Sequence, residues 1–353
     1  MCTETGPADP AAVAFAAPRT AAGAAVDPVA LEPVDALTIT VLVDNSFDAL
    51  LLNSDVATRA RLGTGDPQEA PQYVGGMTTT GLIAEHGFSA LVTVTKNGHD
   101  HTLLFDTGVS PDGLAVNGRR LGIDPSDVSA VVLSHGHGDH TGGFPGLERW
   151  LGRSPSPLVL HPVAFTRRRL APPNAEPFVM PLLDRAALVG DGIELVERRE
   201  PSFLLDGSVL ITGEVDRTTE FERGMAFHEA FLDEAWRPDP WIVDDQALVV
   251  NVRGRGLVVL TGCGHAGAVN IVRHALRLTG SERLHALLGG LHLTGPGFEQ
   301  IIEPTVGALA DLAPDVLVPA HCTGWRAQMR LAQELGDAFL PGAVGSRYTF
   351  AAA

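Results

Sequence analysis

The chain has 353 residues, and 25 Lys and Arg against 42 Asp and Glu give a net charge of −17 with histidines neutral. That balance argues against a nucleic-acid binder, which needs clustered cations to neutralise phosphates, and three cysteines are too few for a disulfide scaffold and suit a reducing compartment. Apolar residues at 45% and charged residues at 19% allow a large core and exclude a wholly disordered chain, while no apolar run reaches the ~18 residues of a bilayer span.

Residues 1–35 are rich in Ala and Pro without an apolar period, as in AAVAFAAPRTAAGAAVDP, which predicts a flexible extension. A secretory signal is the rival reading. Glu4 and Asp9 stand where its positive region belongs and Pro18 and Arg19 interrupt the apolar stretch, so a cytoplasmic protein is expected. From Ala36 the pattern changes to short β-branched runs ending in polar loops: ALTITVLVDN, the hairpin SALVTVTKNGHDHTLLFDTG, VSAVVLSHG, PLVLHP, SVLITGE, the hairpin QALVVNVRGRGLVVLTG, and DVLVPAH. Helical periods fall at PGLERWL, AVNIVRHALRLTG, FEQIIEPTVGALADLA and WRAQMRLAQELGDAF. No repeat or linker divides the stretch, so residues 36–353 are expected to form one layered α/β domain, with a loop-rich excursion at about 167–239.

The strongest local signal is SHGHGDHTGG, directly after the strand VSAVVL. It sets His135, His137, Asp139 and His140 on one Gly-rich loop. Three imidazoles and a carboxylate supply the N and O ligands that Zn(II), Fe(II) or Mn(II) accept, and Gly136 and Gly138 let neighbouring ligands aim at different points. The bland alternative is a polar surface loop. Four ligands cannot fill two metal centres, and further donors stand after other apolar strands: Cys263 and His265 in VVLTGCGHAG, His292 in LLGGLHLTG, and His321 in VLVPAHCTG. Strand ends are where an α/β protein holds its site.

Taken with LLFDTG before it and TGCGHAG and VPAHCTG after it, the loop SHGHGDHTGG resembles the metallo-β-lactamase superfamily. The stretches VDN (43–45), EHGFS (85–89), TGEVDRTTEFE (212–222), DDQALVV (244–250) and GGLHL (289–293) are similar to a metal-dependent hydrolase branch named after dihydropterin ribofuranosyl-aminobenzene phosphate synthase. The resemblance implies an αββα four-layer sandwich. It implies His135 and His137 as ligands of a first divalent metal, Asp139, His140 and His321 as ligands of a second, and Asp106 as a partner that orients a ligand. The chain departs from the family pattern in two places. Cys263 stands where a bridging Asp is usual, and DDQALVV occupies the place of a further ligand histidine, so His265 is the expected replacement and Cys263 a candidate thiolate ligand. A mononuclear or asymmetric site stays open.

Other residues carry weaker expectations. His292 is a candidate for substrate binding or acid catalysis, with a structural role the alternative, and Arg217 is the candidate for binding an anionic group. Arg167, Arg168 and Arg169 form a basic run that binds an anion or is a solvated helix face. His161 is expected to be a satisfied strand-end residue and Cys322 to pack. Glu85, His86 and Asn45 are expected to pack the loops. No chemical role is assigned to His86, His99, His101, His228, His274 or His285.

A metal-bound water becomes hydroxide near neutral pH, which removes the need for a nucleophilic side chain, and the chain has no G-x-S-x-G elbow. The expectation is a hydrolase with two divalent ions, most naturally Zn, acting on an ester, lactone or phosphoester of a small anionic substrate. Its alternatives are a pterin- or phosphoribosyl-type condensing synthase on the same site, and a non-catalytic metal-containing ligand sensor. Neither nucleic acid nor membrane is expected as a partner, and a homo-oligomer is left open.

Overall fold

The computed structural model describes residues 28–155, 157–295 and 297–353. Its frame is two β-sheets. The first has eight strands in the spatial order Leu195–Glu197, Leu158–Leu160, Val128–Val132, His99–Phe105, Ser89–Lys96, Ala36–Val43, Arg347–Ala351 and Ala57–Thr58. The second has six: Ser202–Leu204, Val209–Ile211, Leu248–Val252, Gly256–Thr261, Leu284–Gly290 and Val316–Ala320.

Alternation decides which face of each strand points inward. Along Arg347–Ala351 only Tyr348 and Phe350 are buried, and they join Leu37, Ile39 and Val92 of the first sheet and Val250, Leu260 and Leu288 of the second in one core between the sheets. The outer face of the first sheet is covered by helices Gly113–Arg120 and Phe144–Leu151, through Leu114, Leu147 and Trp150. Helices Ala268–Thr279, Ile302–Leu312 and Trp325–Leu335 cover the second, through Ile271, Val306 and Leu331. The result is the expected αββα sandwich. Among the described residues no helix is long and apolar enough to cross a membrane.

Two parts differ from expectation. The extension assigned to residues 1–35 lies outside the described residues as far as Asp27. From there the chain is already tied down: Val29 N donates to Leu278 O at 2.7 Å, Glu32 N to Gly207 O at 2.9 Å and Val34 N to Asn251 O at 2.9 Å. Val34 is fully buried, so packing draws in residues whose composition carries no period. The excursion is likewise not only loops. It contributes the edge strands Leu195–Glu197, Ser202–Leu204 and Val209–Ile211 to the main sheets, and its strands Phe178–Val179, Arg168–Leu170, His228–Leu232 and Ala235–Pro238 form a separate four-stranded sheet. Strands of two to five residues leave little periodicity to read.

Leu260 lies at 2% exposure in the core shared by the sheets. Leu260→Ala should cost about 2–5 kcal/mol of stability, measured by urea unfolding; an unchanged midpoint would mean that the two sheets do not share this core.

Candidate metal centre

The three strands Gly256–Thr261, Leu284–Gly290 and Val316–Ala320 are parallel neighbours, as are His99–Phe105, Val128–Val132 and Leu158–Leu160. Parallel pairing brings their carboxyl ends to one edge. Asp106, the loop 134–140, Cys263 and His265, His292 and His321 all leave strands at that edge. Asp106, His292 and His321 adopt φ of 57°, 44° and 46°, sharp left-handed turns at the strand ends.

The donor atoms converge in groups. Asp139, His140, Cys263 and His321 offer ligand atoms all within 4.8 Å of one another, as do His135, Cys263 and His265. Cys263 belongs to both. A third group joins Cys263 to His292 and Cys322. His137 lies against the second group, its ring centroid 4.5 Å from that of His135 and 4.9 Å from that of His265.

Buried acceptors fix the tautomers of these imidazoles. The Asp106 carboxylate accepts from Ser134 N at 2.7 Å and Ser134 Oγ at 2.7 Å and lies 2.6 Å from His140 Nδ1. Because the Ser134 hydroxyl donates to Asp106, it accepts from His135 Nδ1, 2.9 Å away. The Nε2 atoms of His135 and His140 are thereby left as lone-pair donors, and His140 Nε2 lies 3.1 Å from Cys263 Sγ. His321 Nδ1 is 2.9 Å from Asn45 Oδ1, which turns its Nε2 toward Asp139 Oδ2 at 3.3 Å. Hydrogen bonds to the far ring nitrogen orient metal-binding histidines in this way.

The donor set fits divalent ions on two further grounds. His135 Nε2, both ring nitrogens of His265, and His321 Nε2 are buried without hydrogen-bond partners, a costly arrangement unless something else satisfies them. Burial, reinforced by neighbouring histidines, also holds His135, His137 and His265 well below the usual histidine range, so these rings are neutral, the form that can take an ion. Burial opposes charge on His140 too, but Asp106 and Asp139 raise it to about 9, so without an ion this ring also keeps a proton on Nε2, which a bound metal would displace. Burial pushes the Cys263 thiol well up; a coordinated cation reverses this and takes it as thiolate.

The sequence reading missed His228. It lies on the excursion sheet, fully buried, with its Nε2 3.0 Å from His137 Nε2 and its Nδ1 2.7 Å from Asp239 O. Burial and Arg168 push it down to about 3, so it is neutral. Its Nδ1 proton goes to the Asp239 carbonyl and its Nε2 accepts from His137, which leaves the His137 lone pair on Nδ1; the converging donor groups do not include His137, so the structure does not bring this expected ligand into them. No spacing in the sequence links residues 91 positions apart. His86 was also assigned no role, yet its Nε2 is 3.8 Å from Asp139 Oδ2 and its ring is 4.9 Å from that of His321.

Arg217 does not line the cavity over the donors. It is buried beneath the loop, where it donates to His265 O at 3.0 Å and Trp241 O at 2.5 Å, so its charge serves backbone carbonyls. The basic run is not a helix face: Arg168 is buried on a strand and grips Asp244 at 2.8 and 2.5 Å, Arg169 pairs with Glu229 at 2.6 Å, and the Arg167 guanidinium lies over Phe231 and Trp236. Segment 244–246 clamps both loops that carry the candidate donors. Asp244 accepts from Gly136 N at 2.9 Å, Asp245 accepts from Ala266 N at 2.8 Å, and Gln246 N donates to Ser134 O at 3.0 Å. Asp44 accepts from His321 N at 2.8 Å, Glu85 from Val109 N at 3.2 Å and Ser110 N at 3.1 Å. His161 is 3.2 Å from Glu214, and the Cys322 thiol donates to Cys263 O at 3.2 Å. His292 lines the cavity beside His265, their centroids 4.2 Å apart.

Residues 84–275, more than half of the chain, match the family model of the metallo-beta-lactamase superfamily. Over 262 residues the chain is 29% identical to the 7,8-dihydropterin-6-methyl-4-(beta-D-ribofuranosyl)-aminobenzene-5'-phosphate synthase of Methanocaldococcus jannaschii, covering 72% of this chain and 87% of that protein. An uncharacterized protein of the same organism is 28% identical over 258 residues, 71% of this chain and 89% of the relative. Among solved structures, Tm1679, a metal-dependent hydrolase of the beta-lactamase superfamily, superposes with a TM-score of 0.65 at 26% identity, covering 89% of this chain and 99% of that one.

His228→Ala should weaken metal binding by about 10- to 100-fold, measured by competition with a chromophoric chelator; an unchanged affinity would mean that His137 is oriented without it. Gly136→Ala should be more damaging, since its Cβ would fall 2.2 Å from Ala164 O. The same titration should find the metal bound at least 100-fold more weakly, and wild-type affinity would show that the loop has room to move.

Proposed function

We propose that this chain, which belongs to the metallo-beta-lactamase superfamily, is a cytoplasmic metal-dependent hydrolase that takes two divalent ions, most naturally zinc, and cleaves an ester, lactone or phosphoester of a small molecule. The observation that carries the reading is the convergence of two donor groups, buried apart from the part-exposed Asp139, on one thiol, Cys263, at a common strand edge. Superfamily members typically bind divalent metals. His135, His137 and His265 with Cys263 would hold one ion, and Asp139, His140 and His321 with Cys263 the other. Imidazole and thiolate donors suit zinc.

When bound, such ions bring the pKa of coordinated water to about 7 and polarise a carbonyl or phosphoryl oxygen. The chain's own groups then divide the remaining work. Burial works to raise the Asp139 carboxyl, but His140 and His321 hold it well below the usual carboxylate range, so it is ionised. Its side chain keeps 22% exposure, so Oδ2 is able to orient the attacking water and accept its proton. His292 lines the cavity with Nδ1 buried and unpartnered, where it can hold the substrate's oxygen or serve the leaving group. Cys263, where the family pattern has a carboxylate, would offer a thiolate to either ion.

The likeness to the archaeal synthase supports a second reading, a condensation at the same centre. It requires that a phosphoribosyl-type substrate be consumed only when an aromatic acceptor is present, whereas hydrolysis releases product from a single ester. Purified protein should carry close to two metal equivalents. His135→Ala and Asp139→Ala should each bring this to one or fewer and reduce turnover on an ester and phosphoester panel by about 100-fold or more, as metal analysis and initial rates would report. Full metal retention in both variants would remove the loop from the centre.

A further inference from the structure

Over the donor atoms lies a cavity of about 720 Å³, within the range of small-molecule sites. Its lining includes His137, Asp139, Cys263, His265 and His292, together with the exposed His86. Much of the rest is apolar, with Val109, Leu170, Phe178, Met180, Met225 and Phe298 among it. Among the described residues no lysine or arginine lines the cavity. The arginines that the sequence offered for an anion are engaged elsewhere, Arg168 with Asp244, Arg169 with Glu229 and Arg217 with two carbonyls.

At the mouth, Phe178 is 59% and Val109 38% exposed. Large apolar side chains left to water beside a polar centre mark a surface that a ligand covers. A phosphate or carboxylate on the distal part of a substrate would lose its hydration against these walls and meet no cation there. An alkyl or aryl group would gain by the same burial.

We infer that the substrate is an uncharged carboxylic ester or lactone carrying an apolar acyl chain or aryl group, which lies against Leu170, Phe178, Met225 and Phe298 while its carbonyl faces the donor atoms. This rests on the hydrolase reading and replaces the anionic substrate expected from the sequence. The reaction adds water across the acyl carbon–oxygen bond: the C–O bond breaks, a C–O bond to the water oxygen forms, one proton passes to the leaving alkoxide, and the products are acid and alcohol.

Two measurements test it. With the metal-loaded protein, kcat/KM over straight-chain esters from four to eight acyl carbons should rise by about threefold per methylene, and an ester bearing a terminal phosphate should be at least 100-fold poorer than its uncharged counterpart. With the metal-free protein, the uncharged fluorophore N-phenyl-1-naphthylamine should bind, should be displaced by 1-octanol, and should bind at least tenfold more weakly to Phe178→Asp, whose metal capacity is unchanged. Ester turnover without chain-length dependence, or with preference for the phosphate-bearing ester, overturns the apolar substrate and leaves the hydrolase reading standing. Fluorophore binding and displacement without turnover of any ester overturns the hydrolase reading and leaves the apolar cavity assigned. Absence of fluorophore binding overturns the inference.

Discussion

The buried Asp106 carboxylate is the contact on which the candidate centre depends. It receives both the backbone and the hydroxyl of Ser134 and the Nδ1 side of His140, and through Ser134 it also sets the ring of His135. One carboxylate thus places two imidazoles and the start of the loop between them. Its own position comes from the parallel pairing of His99–Phe105 with Val128–Val132, which lays the end of one strand beside the start of the loop. A ligand ring that must find its tautomer and rotamer anew would pay entropy at each binding event; here both are settled by folding.

The same logic extends across the sandwich. Residues 244–246 enter the strand Leu248–Val252 of the second sheet, yet they hold Gly136 and Ser134 from the first and Ala266 from the second. The two halves of the centre are registered by backbone hydrogen bonds to one short acidic segment. Burial works to raise the Asp244 carboxyl, and the Arg168 guanidinium beside it holds it well below the usual range. The pair is more a positioning device than a source of net stability, since desolvating two charges offsets most of their attraction. It also ties the excursion to the loop, and through His228 the excursion reaches His137.

The excursion therefore has two jobs in this fold. It orients His137 from behind, through His228 and Asp239, and it supplies Leu170, Phe178 and Met180 to the lining of the cavity. Arg168 and Asp239 pair behind the first job, and Phe178 is left exposed by the second. The acidic balance of the whole chain is consequently a poor guide to the cavity: the −17 charge is a sum over the sequence, whereas the lining of the cavity is set by a few side chains.

The sequence by itself determined the sandwich and the donors. Strands and helices with strong period, such as Ala36–Val43 and Ala268–Thr279, are legible because each buries one face, and the loop from Ser134 to Gly143 announces its ligands by concentrating them. Contacts between distant segments were left for the tertiary structure. His228 reads as an ordinary histidine until a four-stranded sheet sets it against His137, and Arg217 reads as an anion binder until its guanidinium is found on the His265 and Trp241 carbonyls. The motifs VDN, EHGFS and DDQALVV were visible as words without a meaning, because what they do is hold the backbone of other segments, as Asp44 does for His321, Glu85 for Val109 and Asp244 for Gly136. A ligand's chemistry is local and survives in the residue type; orientation, burial and cavity lining are relations between elements, and only packing creates them.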